Sequence, residues 1–244
     1  MKKWILDPEN VAIVPGDEAT TLDYAANHFI KVCRDAIEKR GAAFVALSGG
    51  STPKAIFQRL KTEGVDGKKV FLFWSDERTV PPESSDSNYK MAMESGPFLK
   101  WIPHDQIFRM EGEKDPKEAA LHYEKIIRTI VPEGIFDLIT LGMGDDGHTA
   151  SLFPETAALD EKYRFITENF VPKLNTNRIT FTFPLIHRAR ESVIYLIGSK
   201  KAEMAKKVLV ERPGIYPAEL IGTESHPAIW LLDNGAASLL EECC

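Results

Sequence analysis

The strongest constraint on this chain is a recurrence of short apolar, β-branched runs. They stand at VAIV (11–14), FVAL (44–47), VFLFW (70–74), FDLITLG (136–142), RITFTF (178–183), VIYLIG (193–198) and AIWLLD (228–233). Each has the length and composition of a strand. Several are apolar at consecutive positions, which suits strands covered on both faces, as in a parallel sheet. Helical spacing fills the gaps between them. Leu22, Ala25, Ala26, Phe29, Cys33, Ala36 and Ile37 share one helix face. DPKEAALHYEKIIRTI (115–130) opens with Asp115 as cap, Pro116 at the first helical position and Glu118 placed to complete a capping box. A repeated βα order with right-handed crossovers implies an α/β fold. We expect a single doubly wound, mostly parallel sheet with helices on both faces and a ligand crevice beyond the carboxyl ends of its strands.

The 244 residues fit one domain spanning 1–244, and no linker or internal repeat interrupts them. TVPPESSDSN (79–88) is the most loop-like segment and reads as a mobile wall of the crevice. A net charge of −6 with no lysine- or arginine-rich tract argues against nucleic-acid binding, so an anionic ligand must be met by a local cluster. The cysteines Cys33, Cys243 and Cys244 form neither a disulfide framework nor a spaced metal motif, which fits a reducing compartment. The opening MKKWILDPEN lacks the apolar core of a signal peptide, and no run reaches the roughly 18 apolar residues of a membrane span. A cytoplasmic protein with no membrane association is expected.

Chemistry gathers where strands end. FVALSGGSTPKAIFQRL (44–60) runs a strand into Ser48, Gly49, Gly50, Ser51 and Thr52, ahead of a helix opening at Pro53. Adjacent glycines let the backbone approach an anion, while helix-start N–H groups and the hydroxyls supply donors. The segment fits neither G-x-G-x-x-G nor a Walker loop, which favours a simple phosphate ester; a tight capped turn without ligand is the plainer alternative. In VFLFWSDERTVPP (70–82), Asp76, Glu77 and Arg78 follow the next strand. A guanidinium fork suits phosphate, and the two carboxylates can fix it in place, with spacing leaving open which of them faces inward. A solvated loop charge is the alternative there.

In LGMGDDGHTASLFP (141–154), Gly142, Gly144 and Gly147 permit a sharp turn whose N–H groups can face an oxyanion. His148 is the side chain there that titrates near neutrality, and Asp146, two residues earlier, can orient it; Asp145 is less constrained. The alternative is a histidine that caps a following helix TASLF. No other histidine stands at ligand spacing from it, so no metal site is expected. Arg178 opens the strand RITFTF. Lys200 and Lys201 lie at a strand-to-helix turn, where cations oppose the helix dipole unless an anion sits there.

LSGGSTPK, WSDERTVPP with a later SN, LGMGDDGHTASLFP, RITFT and IGSKKAE, in this order and across nearly the whole chain, resemble the 6-phosphogluconolactonase family. The glycine-rich loop and DGH are shared with the related glucosamine-6-phosphate deaminases. Those carry Asp-Glu-Tyr where this chain has Asp76, Glu77 and Arg78, and Phe-Asn-Glu-Pro where it has Ser151, Leu152, Phe153 and Pro154. Both differences favour the lactonase. The resemblance implies hydrolysis of 6-phosphoglucono-δ-lactone to 6-phosphogluconate, the second step of the oxidative pentose phosphate pathway, with no cofactor, on a single Rossmann-like α/β sheet. It implies His148 as general base and Asp146 as its partner. Arg78, Arg178, Lys201 and the turn at 48–52 would hold phosphate and sugar acid, with Asp76 and Gly144 in the same substrate-binding set. Lys201 is chosen over Lys200 by its G-x-x-K spacing from Gly198. A deaminase or isomerase would instead use Asp76 as carbon base and His148 in ring opening. The implied partner is a small phosphorylated lactone, met by a monomer or weak homo-oligomer.

Overall fold

A computed structural model describes residues 1–62 and 64–240. Cys243 and Cys244 lie outside the described residues. The chain runs β1 (Lys2–Asp7), β2 (Asn10–Val14), α1 (Glu18–Arg40), β3 (Ala43–Leu47), α2 (Ser51–Phe57), β4 (Val70–Trp74), β5 (Asp76–Arg78), α3 (Asn88–Ser95), α4 (Pro116–Ile130), β6 (Leu138–Leu141), β7 (Ile166–Val171), β8 (Thr176–Phe181), α5 (Phe183–Ile186), β9 (Ser192–Leu196), α6 (Ala202–Lys206) and β10 (Ala228–Leu232), joined by loops and short 3-10 turns.

Seven strands form one sheet in the order β1-β2-β10-β9-β6-β3-β4. All its pairings are parallel except β1 with β2, so the expected α/β class holds. The continuous apolar runs are explained by two cores. Leu47, Leu72, Trp74, Leu138 and Val193 face Phe29, Cys33 and Phe57 of α1 and α2. Ala46, Phe73, Ile139, Leu141 and Ile194 face Ala120, Tyr123 and Ile127 of α4 on the other side. Alternate residues of one strand thus enter opposite cores, and each buried Leu or Phe stabilises by about 1.5–3 kcal/mol. Asp17 caps α1 through Thr20 N–H at 2.9 Å, and Gly41 at φ 85° ends it in the left-handed region. At α4, Asp115 accepts from Lys117 and Glu118 N–H at 3.1 and 3.0 Å, but Glu118 makes no return bond, so the expected capping box is half formed.

The structure adds β1, β5 and β7 to the expected strands and moves one. The RITFTF strand, β8, leaves the main sheet and sits between β5 and β7 in a three-stranded antiparallel sheet. Ser75 is the junction. Its N–H donates to Leu47 C=O and its C=O accepts Phe181 N–H, each at 2.8 Å, so the chain crosses from one sheet to the other there. Loop residues 79–87 follow β5. Among the described residues, no helix is long and apolar enough to cross a membrane.

Candidate active site

Winding reverses between β3 and β6, because β3 pairs with β4 on one side and β6 on the other. A doubly wound sheet opens its crevice at such a point. A cleft of about 470 Å³ lies there, at the carboxyl ends of β3, β4, β6 and β9. Its floor is stitched by buried Thr140, whose hydroxyl accepts Ser48 N–H at 3.0 Å and donates to Ala46 C=O at 3.1 Å. The Ser48 N–H is therefore committed to joining the two strands, while the residue itself lines the cleft. A methyl group on Gly49 would stand 1.9 Å from Asn88 Oδ1, so only glycine passes here. Gly50 (φ 108°) starts α2, and Ser51 and Thr52 line the cleft with hydroxyls that have no protein partner among the described residues.

The turn after β6 closes on itself. Gly144 N–H donates to His148 C=O at 2.9 Å, Gly147 N–H to Gly144 C=O at 3.1 Å, and Thr149 Oγ1 to Gly142 C=O at 2.9 Å. This corrects the expected role of Gly144: its amide and that of Gly147 are used inside the turn and do not face an oxyanion. Gly144 supplies space instead, since a methyl group on it would stand 2.1 Å from His148 Cε1. The imidazole lies against this bare backbone and stacks on Phe153 with ring centroids 4.0 Å apart. Its Nδ1 is 2.5 Å from Asp146 Oδ1. No helix follows, because Thr149 and Leu152 form a bridged turn, which removes the capping alternative for His148.

Burial raises the Asp146 carboxyl, but its bonds to His148 and Lys173 outweigh that cost and hold it down at about 2. Lys173 Nζ is 3.0 Å from Asp146 Oδ2.

The strand β5 decides which acid faces inward. Side chains alternate along it, so Asp76 and Arg78 line the cleft while Glu77 turns away. Buried Glu77 accepts from Ser87 Oγ at 3.0 Å and from Arg78, Asn88 and Tyr89 N–H at 2.8, 2.7 and 2.8 Å. Burial pushes its carboxyl up and the three N–H bonds pull it back. Glu77 thus fixes the start of α3. Asp76 is buried as well; its Oδ2 accepts Ser151 Oγ at 2.7 Å and its C=O accepts Asn88 Nδ2 at 3.0 Å.

Arg78 stands directly opposite Arg178 in the β5–β8 ladder, and both line the cleft. Arg78 Nη1 donates to Asp86 C=O at 2.6 Å, and Arg178 Nη1 to Asn177 C=O at 3.0 Å. Neither forms an ion pair among the described residues. Burial, then the Arg78 charge, lowers the Arg178 guanidinium from its ordinary value. Like charges facing across a ladder destabilise it, and an anion between them reverses that cost.

Lys201 Nζ donates to Met143 C=O at 2.9 Å and to Asp145 Oδ1 at 2.7 Å, in the cleft wall. Lys200 is exposed and outside the lining. The structure therefore brings His148, Asp146, Asp76, Arg78, Arg178, Lys201, Gly144 and the turn at 48–52 to one cleft. Sequence reasoning missed Lys173, Asn88 and Ser151. Asn88 and Ser151 stand within motifs already noticed. Lys173 carries no such signal: it is 27 residues from Asp146 and arrives on the β7–β8 hairpin turn.

The family described as glucosamine-6-phosphate isomerases/6-phosphogluconolactonase matches residues 16–230. A 6-phosphogluconolactonase of Chlamydia trachomatis is 43% identical over 234 residues, covering 94% of this chain and 90% of its own. One from Synechocystis sp. is 40% identical over 218 residues, covering 84% of this chain and 88% of its own. The solved 6-phosphogluconolactonase from Trypanosoma cruzi superposes with a TM-score of 0.83 at 27% identity, covering 98% of this chain and 99% of that one.

Proposed function

The chain belongs to the glucosamine-6-phosphate isomerase/6-phosphogluconolactonase family, and from that premise we propose that it hydrolyses 6-phosphoglucono-δ-lactone to 6-phosphogluconate. The observation that carries this reading is the His148–Asp146 pair in the same cleft as two opposed guanidiniums that form no ion pair among the described residues. Ionised Asp146 accepts the Nδ1 proton and leaves the lone pair on Nε2, which makes no hydrogen bond among the described residues.

A lactone is an ester whose leaving group stays tethered, so no covalent nucleophile is needed. His148 Nε2 takes a proton from water as the oxygen attacks the lactone carbonyl carbon. The tetrahedral oxyanion collapses, the bond from that carbon to the ring oxygen breaks, and Nε2 returns its proton to that oxygen. The product is the open-chain acid and the histidine is restored. Donors of the turn at 48–52 and the cations Arg78, Arg178 and Lys201 divide the two anionic tasks, phosphate binding and oxyanion stabilisation. Phosphate binding orients the distant carbonyl. Asp76, the carbon base of an isomerase reading, is occupied by Ser151, which supports hydrolysis.

We place the reaction at the second step of the oxidative pentose phosphate pathway, carried out by a monomer or weak homo-oligomer. A doubly charged phosphate ester does not cross a bilayer unaided, so the enzyme shares the compartment in which the lactone is formed, which we take to be the cytoplasm. Proton release from freshly generated 6-phosphogluconolactone, run beside ammonia release from glucosamine 6-phosphate, tests the reading. Catalysed proton release is expected; ammonia release without lactonase activity overturns it.

A further inference from the structure

The turn that carries His148 is backed by a segment from far along the chain. Gly147 (φ 71°) immediately precedes His148, and a methyl group on it would stand 2.6 Å from Tyr216 Cδ1 and 2.8 Å from Tyr216 Cβ. Tyr216 therefore occupies the space that any other residue at 147 would need. On the same residue, Gly147 C=O accepts Ala218 N–H at 3.0 Å. Segment 212–220 is itself stiffened. Buried Glu219 accepts Gly214 N–H and Tyr216 N–H, each at 2.9 Å, and its own N–H donates to Tyr216 C=O at 3.0 Å. Arg212, in the left-handed region at φ 44°, pairs with Asp7 and, at 3.0 Å, with Glu9, and also donates to Glu219 C=O at 3.3 Å. The segment is thus tied to the turn between β1 and β2.

His148 is oriented by Asp146, Phe153 and the bare backbone of Gly144, all of which travel with the turn. Those contacts set the ring relative to the turn but do not set the turn relative to the cleft. A left-handed glycine beside the imidazole has wide backbone freedom unless it is confined. Tyr216 and the Ala218 N–H confine it from outside. We propose that Tyr216 is a positioning residue for His148, and that 212–220 is a strap holding the turn at the depth the reaction needs. Tyr216 is outside the cleft lining, so it acts through Gly147 and not on substrate. The proposal rests on His148 being the base.

The test compares Tyr216→Ala and Tyr216→Phe, alone and combined with His148→Asn. Small displacements of a reacting group cost up to about 100-fold, so Tyr216→Ala is expected to lower kcat by roughly 10-fold with KM within about twofold, and Tyr216→Phe to stay near wild type. In the His148→Asn background Tyr216→Ala is expected to change kcat by less than about twofold, because the group it positions is gone. A second readout needs no turnover: the downfield proton resonance of His148 Nδ1 is expected in the wild type and Tyr216→Phe, and to broaden or vanish in folded Tyr216→Ala. If Tyr216→Ala does not fold, Tyr216→Leu, which keeps apolar bulk without the planar ring, carries the same comparison. Unchanged kcat in the folded variant, or an equal loss in both backgrounds, overturns the proposal. Near-normal kcat in His148→Asn alone overturns the base assignment instead; the resonance then decides for Tyr216 by itself, and its persistence in Tyr216→Ala rejects the positioning role.

Discussion

Lys173 Nζ lies 3.0 Å from Asp146 Oδ2, on the carboxylate whose Oδ1 holds His148 Nδ1 at 2.5 Å. One carboxylate therefore serves an imidazole from its own turn and an ammonium from the β7–β8 hairpin. Lys173 is one of the two partners whose bonds hold the Asp146 carboxyl down at about 2, so Lys173→Met is expected to move the titration of that carboxyl to higher pH. A carboxyl-carbon NMR titration of wild type and variant reads the shift. A midpoint that stays put or moves down contradicts the arrangement.

The stability of the fold in acid depends on the same carboxylate. The bonds from His148 and Lys173 hold the Asp146 carboxyl down at about 2, below its ordinary value of 3.8, so its contribution to stability is complete above 3.8 and is lost as pH falls through about 2. Asp146→Asn removes that dependence. Urea unfolding of wild type and variant between those pH values is expected to show a shallower acid loss for the variant; parallel curves would count against the shift.

Gly144→Ala tests whether the imidazole needs the bare backbone. The added methyl would stand 2.1 Å from His148 Cε1, so the ring must move. The expected result is a folded protein with kcat down about 100-fold and product binding retained. Normal turnover would show that the ring position tolerates displacement.

Arg78 and Arg178 face each other without an ion pair among the described residues. Loss of a charge-assisted contact costs roughly 1.5–3 kcal/mol, so Arg78→Ala is expected to lower kcat/KM about 10- to 150-fold for the phosphorylated lactone and far less for gluconolactone. Equal losses on both substrates would move Arg78 from phosphate recognition to catalysis. Inorganic phosphate should raise the Tm of the wild type more than that of the variant.

His148→Asn is expected to lower kcat by about 10²–10⁴, the usual worth of general-base assistance. Asp146→Asn should cost less, because an amide oxygen still accepts the Nδ1 proton. Initial rates with circular dichroism as a fold control settle both; an Asp146→Asn loss equal to that of His148→Asn would give the carboxylate more than an orienting part.

Some of this protein is written locally. The parallel strands are legible because a strand between two cores must be apolar on both faces, and VFLFW and FDLITLG say so without reference to any partner. The cleft is legible at one remove, since a doubly wound order places the ends of β3, β4, β6 and β9 together. His148 and Asp146 are two residues apart, so their pairing is nearly a property of the turn.

What tertiary structure decided involves residues with no local tie. Whether Asp76 or Glu77 faces the cleft follows from β5 pairing with β8, which fixes the alternation; a three-residue segment carries too little pattern to declare itself a strand. The same pairing sets Arg78 opposite Arg178. Gly144 illustrates a different limit: sequence marks a glycine, but whether its amide or its missing side chain matters depends on where the His148 ring and C=O come to rest. Lys173 meets Asp146 and Tyr216 backs Gly147 because distant segments pack there. Spacing along a chain constrains neighbours within a turn or two, whereas contacts between distant segments are fixed only when the whole fold closes and the burial of both cores sets their relative positions.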